Sequence, residues 1–496
     1  MKTVDFSGRP FHFIGVGGIG MSALAYVLAQ RRFPVSGSDI RASHITERLQ
    51  SVGAHIFTQQ EASNLNVFQT LQVNTGAKIP VAVGAGSKPS ADMNFEVNGN
   101  GRHRARLLPQ VVCSTAIAAS NPEYQAALDK DCPIFHRSDV LAALIGEYRG
   151  IGVAGTHGKT TTSSLIGYVL LQAGLDPTII VGGEVDAWDG NARLGQGDYL
   201  IAEVDESDGS LTKHFPKIGI VTNIELDHPD HYASLEEVVQ IFKTFESHCE
   251  TLIGCVDCDV VRNNLTPGIT YSLNPERTAD YQAKRISYHA NGSQVEVWER
   301  GQYLGTMKLN IPGDHNISNA LAAVAVGRLV GLEFNIIAQA IAGFGGAKRR
   351  FECKGFCNGI TFIDDYAHHP SELLATLNAA RQKVDHGKYT RVIAIFQPHR
   401  YSRTHTFLAD FASAFKDADL VILTDIYSAG ETNIHNIQGE DLAQAVSQHH
   451  PKVIYQPSLT ELTQFLPKIL QSGDLALFLG AGNLNQTIPN VIAACA

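Results

Sequence analysis

The sequence predicts an α/β protein built on several parallel sheets, and three observations carry that prediction. Short apolar runs bounded by turn residues recur along the chain: FHFIGVG (11–17), IGVAG (151–155), YLIAEV (199–204), IGIVTN (218–223), RVIAIF (391–396), LVILTDI (420–426) and LALFLGAG (475–482). Helical patterns separate these runs, as expected of buried strands joined by crossover helices. Glycine-marked starts near 11, 151 and 344 divide the pattern into three units.

A length of 496 residues exceeds what one core usually holds and suggests about three domains. The expected boundaries are 1–147, 148–346 and 347–496. Residues 73–103 are rich in Gly, Asn, Ser and Pro and read as a mobile surface insertion in the first domain. A hydrophobic content of 44% with 18% charged residues is that of a globular protein. The net charge is −10 and no long basic run occurs, so neither nucleic acid nor an anionic membrane is expected as a partner. No apolar run reaches the roughly 18 residues that span a bilayer, so no membrane insertion is expected, and the N-terminus lacks an apolar signal core. Cys255 and Cys258 form one CxxC without a second pair at zinc-like spacing. Metal or redox chemistry and two plain thiols near a strand end both fit it. Reduced thiols predict a cytoplasmic protein.

The first glycine turn, GVGGIGMS, sets Gly15, Gly17, Gly18 and Gly20 between a strand and a helix. Gly15, Gly17 and Gly20 meet G-x-G-x-x-G, a pattern that brings backbone N–H groups and a helix N-terminus to a diphosphate. Asp39, in VSGSDI, stands where an acid commonly bonds a ribose hydroxyl. Three readings stay open on the motif: a dinucleotide, another diphosphate such as a nucleotide sugar, or a tight turn alone. The first domain is therefore Rossmann-like.

The second turn, GTHGKTTT, predicts a P-loop that binds a nucleoside triphosphate, against the alternative of a surface lysine on a glycine turn. N–H groups from Gly155, Thr156, His157, Gly158, Lys159 and Thr160 form an anion nest. Lys159 reaches the β- and γ-phosphates, and the hydroxyl of Thr160 or Thr161 ligates Mg²⁺. Val153 replaces the first glycine of the usual spacing, which implies a compact loop. Carboxylates should follow neighbouring strands to hold the metal. Glu203, Asp205, Glu206 and Asp208 supply one cluster, and Glu225, Asp227, His228 and Asp230 another. His228 is open to being a ligand, a capping residue or a core histidine.

Beyond the acidic clusters, polar residues gather at strand ends and helix starts through the rest of the chain. His315, Asn316 and Asn319 open a helix; Lys348, Arg349 and Arg350 form a basic hinge. IDDYAHHPSE and FQPHRYSRT follow strands, and the arginines and histidine of the second suit an anion.

Taken in order, GVGGIGMS, AGTHGKTTT, AEVDESD, TNIELDH, GDHNISNALA, RRFE, DDYAHHPSE, QPHRYSRT and GAGN resemble the Mur ligases of peptidoglycan synthesis over nearly the whole chain outside 60–105. Among them the likeness is greatest to the branch that adds the first amino acid. The resemblance implies a Rossmann-like UDP-substrate domain, a central ATPase domain and a C-terminal Rossmann-like domain. It implies that ATP phosphorylates the lactyl carboxylate of UDP-N-acetylmuramate and that the L-alanine amine then displaces phosphate. ATP and Mg²⁺ are the implied cofactors, and a monomer or weak homodimer is expected.

By position, the resemblance gives Gly15, Gly17, Gly18, Gly20, Met21, Ser22, Ser38 and Asp39 to the UDP moiety. Gly155 through Thr161 would cradle ATP, with Lys159 on the γ-phosphate, His315, Asn316 and Asn319 at the adenine, and Asp365 at the ribose. Thr160 and Glu203 would hold one Mg²⁺ and His228 a second. Arg350 would reach phosphate, and His368, His399, Arg400 and Arg403 would orient substrate. The named catalytic groups are thus Lys159, Glu203, His228 and Arg350. Ala23, Val204, Gly209 and Leu211 depart from the family pattern without removing a catalytic group.

Three rival readings stand, one of them a non-catalytic nucleotide-controlled binding module, against which the acidic strand ends and the arginines of the third domain argue for chemistry. A recycling ligase that joins UDP-N-acetylmuramate to a preformed tripeptide shares the first domain's motifs, but the short SLTKHFPKIGIV segment and DESD favour the alanine branch. A nicotinamide oxidoreductase would explain GVGGIG and leave the P-loop unexplained.

Overall fold

The computed structural model describes residues 3–70, 95–97, 103–105, 108–229, 231–289, 292–387 and 389–496. The chain forms two compact units, Met1–Leu144 with Ala192–Leu194 and Ile145–Asn191 with Gly195–Ala496. Most of 73–103 lies outside the described residues, as does Asp230. Within that stretch Phe95–Val97 pairs antiparallel with His103–Ala105.

In the first unit a five-stranded parallel sheet runs in the order His55–Phe57, Val35–Ser38, Phe11–Ile14, Gln110–Cys113, Ile134–His136. All four residues of Phe11–Ile14 are buried, because crossover helices cover both faces of such a sheet. The strand order reverses beside Phe11–Ile14, the topological switch point where open α/β sheets bind ligands. Under it lies a buried polar network. Glu123, fully buried, accepts from the Ser38 hydroxyl at 2.5 Å and from Asn64 Nδ2 at 2.7 Å, and lies 3.1 Å from His12 Nε2. The other ring nitrogen of His12 lies 2.7 Å from Ser36 Oγ. A buried carboxylate is tolerated because it is bonded on every side.

The second unit holds two sheets. One runs Thr178–Val185, Tyr199–Glu203, Arg149–Ala154, Ile218–Val221, Thr251–Cys255, Ile269–Ser272, Tyr281–His289, Gly292–Glu299, Gln302–Leu309. Pairing is parallel from Thr178–Val185 to Tyr281–His289, and antiparallel through the last three strands. The antiparallel strands escape a search for apolar runs because only one face is buried: Val295 and Val297 lie in the core, with less buried residues between them. Helices Lys159–Gln172 and Asp314–Leu329 pack on this sheet through Leu165, Ile166, Val169, Ile317, Leu321 and Val324.

The other sheet runs Glu352–Cys357, Ile360–Asp365, Asp474–Leu479, Arg391–Phe396, Leu420–Leu423, Val453–Tyr455, parallel except for the first pair. Separate apolar clusters cover it, one containing Leu373, Phe396, Phe411 and Leu477, the other Phe362, Ile395, Leu466 and Phe478. The protein is thus α/β with three main sheets, as the apolar runs predicted. No helix among the described residues is long and apolar enough to cross a membrane.

Candidate active site

The first glycine turn is held by main chain. Gly15 has φ +76°, a left-handed conformation that favours glycine, and the N–H groups of Gly15 and Val16 donate to the Ser38 carbonyl at 2.9 Å. Gly18 precedes helix Ile19–Gln30 with no side-chain cap, so the turn meets the end of a helix whose dipole favours an anion. Asp39 accepts from Gly17 N–H at 2.9 Å and from Arg41 N–H at 2.9 Å. A Cβ on Gly17 would lie 2.7 Å from Asp39 Oδ2. Asp39 thus shapes the turn from within. Met21, Ser22 and Ser38 are buried; Ser22 donates to Ile19 O and Ser38 to Glu123. Those three side chains support the turn, while Gly15 to Gly20 form its surface. Arg137, which the sequence did not nominate, brings Nη1 to 3.3 Å from where a Cβ on Gly20 would sit.

In the second unit the strand Arg149–Ala154 leads into the loop 155–158 and helix Lys159–Gln172. Gly155 has φ +135° and Gly158 φ +80°. A Cβ on Gly155 would sit 2.0 Å from Thr222 Oγ1, and one on Gly158 2.7 Å from Asn319 Oδ1. Gly158 carries no side-chain cap either. Lys159 folds back over the loop: Nζ donates to Gly155 O at 2.6 Å, to Thr156 O at 3.1 Å and to both Glu206 oxygens at 3.0 and 2.9 Å. Burial works to lower the Lys159 pKa, but Glu206, Asp205 and Glu203 together outweigh it and hold the amine charged. Burial pushes the Glu206 carboxyl up to about 7 against the pull of Lys159. Glu206 thus stands as counter-ion where a triphosphate would bring its own charge.

Around the loop stand hard oxygen donors. Thr160 is buried and lies 3.5 Å from Arg350 Nη2. Glu203 accepts from Gly182 N–H at 2.7 Å. Gly182 and Gly183 are neighbours on one strand; Cβ atoms there would sit 2.6 Å from a Glu203 oxygen and 2.9 Å from Thr160 Cγ2, which puts both donors beside the same strand segment. A hydroxyl and a carboxylate fit Mg²⁺, which takes oxygen ligands. His228 has φ +56°; its N–H donates to Asp227 Oδ1 at 2.7 Å. Burial lowers its pKa, favouring the neutral ring that ligation requires.

Asp227 is fixed from the far sheet. Arg403, 2% exposed, donates from Nε at 3.0 Å and Nη2 at 2.8 Å to Asp227 Oδ1, and Asp227 is 6% exposed. Burial alone would raise the Asp227 pKa, but Arg403 and neighbouring histidines carry it far below the usual carboxylate range. In this structure Arg403 therefore positions the His228 turn. Arg400, at φ +70°, directs Nη1 to Glu431 at 3.4 Å. His399 stacks on Tyr427, its pKa lowered to about 3 by burial, His368 and Arg403. His368 Nδ1 lies 3.1 Å from Glu372.

The remaining nominated residues fall in two places. Asn319 bridges helices, accepting from Thr162 at 3.0 Å and donating to Asn316 Oδ1 at 3.2 Å. Asn316 donates to Pro312 O, and His315 is exposed on the first turn. Thr161 is buried on the loop helix. Asp365, buried, accepts from Phe351 N–H at 2.7 Å and Ala367 N–H at 2.8 Å; burial, partly offset by Arg350, raises it to about 6. The His157 ring turns to the C-terminal segment, with Nδ1 3.3 Å from Glu372 Oε1. Glu372 and His369 were not assigned roles from sequence; their signal was the helix-opening H-P-S-E, which the structure shows as a capping box, while Glu225, offered by the sequence in the second acidic cluster, lies 3.4 Å from His157 Nε2. The CxxC thiols are free, with Cys255 ending a strand and Cys258 beside Ile224.

Comparison with known proteins decides the family. Residues 10–149 match the family described as "Mur ligase family, catalytic domain", 153–327 the "Mur ligase middle domain" and 349–482 the "Mur ligase, glutamate ligase domain". A UDP-N-acetylmuramate–L-alanine ligase of Synechocystis sp. is 73% identical, the match covering 100% of this chain and 99% of that one. The chain belongs to the Mur ligases. A relative of the same description from Gloeothece citriformis is 65% identical over 99% of each chain. Among solved structures, the UDP-N-acetylmuramate-alanine ligase of Thermotoga maritima matches this Mur ligase with a TM-score of 0.77 at 25% identity, covering 98% of this chain and 99% of that one. A murein peptide ligase from Psychrobacter arcticus, at 21% identity and a TM-score of 0.66, shares the fold.

Proposed function

We propose that this Mur ligase joins L-alanine to the lactyl carboxylate of UDP-N-acetylmuramate at the expense of ATP. The observation that carries the chemistry is the uncapped helix start at Gly158 with Lys159 turned over the loop toward Glu206. That loop offers N–H groups and a fixed cation to a phosphate chain, with Thr160, Glu203 and Arg350 beside it. The choice of substrates rests on relatives of that description which match the chain along its whole length.

In this reading the turn from Gly15 to Gly20, with Arg137 nearby, binds the UDP diphosphate. Lys159 exchanges Glu206 for the γ-phosphate. Thr160 and Glu203 would hold one Mg²⁺ and the neutral His228 another; bound there, Mg²⁺ would neutralise phosphate charge. A lactyl carboxylate oxygen attacks the γ-phosphorus and ADP leaves, giving an acyl phosphate. The uncharged amine of L-alanine attacks the carbonyl carbon, loses a proton, and the tetrahedral intermediate expels phosphate. Arg350 stabilises charge on the transferring group, since a fixed cation aimed at developing charge needs no reorganisation. Asn316 and Asn319 bound the adenine site and Asp365 meets the ribose. His368, His399 and Arg400 face the amino-acid side, with Arg403 acting through Asp227. Because ATP and a UDP-linked sugar are cytoplasmic metabolites, the reaction is placed in the cytoplasm.

Phosphate and ADP release, measured with UDP-N-acetylmuramate and a panel of free amino acids or the tripeptide, tests the proposal. Release that needs both UDP-N-acetylmuramate and L-alanine supports it. Release supported by the tripeptide and not by L-alanine assigns the recycling activity instead.

A further inference from the structure

Among the described residues, and outside the groups given to magnesium, one cluster has the composition of a transition-metal site. His157 lies on the phosphate loop, Glu225 after the strand Ile218–Val221, and His369 at the cap of helix Pro370–Asp385. One ligand atom from each lies within 4.8 Å of the other two. His157 Nε2 is 3.4 Å and His369 Nδ1 3.8 Å from Glu225 Oε2. Two donors each about 2.1 Å from one tetrahedral ion stand about 3.4 Å apart, so the cluster is near ligating dimensions.

Two further observations point to a ligand. Nε2 of His157, the atom turned to Glu225, is buried and has no polar neighbour closer than its 3.4 Å approach to Glu225 Oε2. Buried polar atoms in that state call for an explanation. The surroundings are also those of a metal site. Glu372 lies against Nδ1 of His157 at 3.3 Å, and the Ser371 hydroxyl donates to Glu225 Oε2 at 2.6 Å. A carboxylate behind a ligating histidine fixes its tautomer and raises its basicity. The Glu225 side chain is 40% exposed, leaving a way in from solvent and a fourth position for water. His369 Nδ1 gives up only a long 3.3 Å contact from Ser371 N–H if it ligates.

We propose that His157, Glu225 and His369 bind one Zn²⁺ or similar late divalent ion, bridging the phosphate loop to the start of the C-terminal helix. Imidazole nitrogens select such ions over Mg²⁺, so this locus is distinct from the oxygen donors at Thr160 and Glu203.

The test titrates the full chain with Zn²⁺ against a chromophoric chelator and records the absorption spectrum with Co²⁺. One ion per chain is expected, with the intense visible bands of tetrahedral Co²⁺. Replacing a ligand should cost more than the 10–100-fold seen for outer partners, so His369→Gln and Glu225→Gln should each weaken Zn²⁺ by at least about tenfold. His228→Asn, at the proposed magnesium position, should leave Zn²⁺ affinity unchanged. Zn²⁺ should also raise the unfolding midpoint of the unaltered chain and not that of the Glu225→Gln/His369→Gln double variant. Circular dichroism checks that each variant folds. No saturable uptake would overturn the proposal and leave His157 as an imidazolium bridging Glu225 and Glu372. Uptake that His228→Asn abolishes, or that His369→Gln does not weaken, would overturn it equally, whatever the ligase assay shows.

Discussion

Lys159 Nζ lies 2.9 Å from Glu206 Oε2, with both side chains nearly out of contact with solvent. The pair sets the electrostatics of the phosphate loop. Glu206 titrates near 7, well above the 4.5 of a free glutamate, because burial penalises its charge more than Lys159 rewards it. The native state therefore binds this proton more tightly than the unfolded chain does. Its contribution to stability is full below pH 4.5, falls as pH rises to about 7 and is constant above that. Glu206→Gln should remove up to ~3 kcal/mol of that decline, at 1.36 kcal/mol per pKa unit. Unfolding free energies by denaturant at pH 5 and pH 8 check this; an unchanged slope would refute it.

Lys159→Ala removes the cation that the loop presents to phosphate. We expect ADP formation with UDP-N-acetylmuramate and L-alanine to drop by at least ~10²–10³-fold, the range for losing one preorganised transition-state contact. Full activity in this variant would end the assignment of the central loop.

The glycines of the two turns should separate by ligand. At Gly158, φ +80° and an Asn319 oxygen 2.7 Å from the new Cβ make alanine strained, by ~1–2 kcal/mol for the left-handed backbone alone. Gly158→Ala should weaken ATP and spare the UDP-substrate. Gly17→Ala, which drives a Cβ against Asp39, should do the reverse. Calorimetric titration with each ligand distinguishes them, and equal losses for both ligands in either variant would contradict the division.

Arg403 and Asp227 are buried partners from different sheets. Removing one leaves the other charge unpaired in the interior, so Arg403→Met should cost ~3–5 kcal/mol. Arg403→Met/Asp227→Leu should recover most of that loss while still impairing catalysis, because the turn holding His228 loses its anchor. A double variant no more stable than Arg403→Met would show that the pair is not what holds this region.

Much of this was legible in one chain of letters. Apolar runs such as RVIAIF and LALFLG became central parallel strands because a strand covered on both faces needs nearly every side chain apolar. GTHGKTTT became a loop and helix start because Gly155 and Gly158 alone accept the backbone angles and close approaches required there. Strands 281–309 went unread because they bury one face only. Glu206 was legible as a carboxylate at a strand end but not as the partner of Lys159, and Arg403 was legible as a cation but not as the support of Asp227.

The sequence by itself determined the kind of chain this is: its α/β class, its two glycine-rich strand-to-helix turns and the residue types that gather at strand ends. Those follow from local rules of backbone freedom, side-chain period and composition. Only the tertiary structure decided which of those polar groups face a ligand and which neutralise one another. Partners such as His157 and Glu372, or Asp227 and Arg403, are remote in the chain and meet only when two sheets pack. The low dielectric of that packed interior then sets which charges are held and which are suppressed.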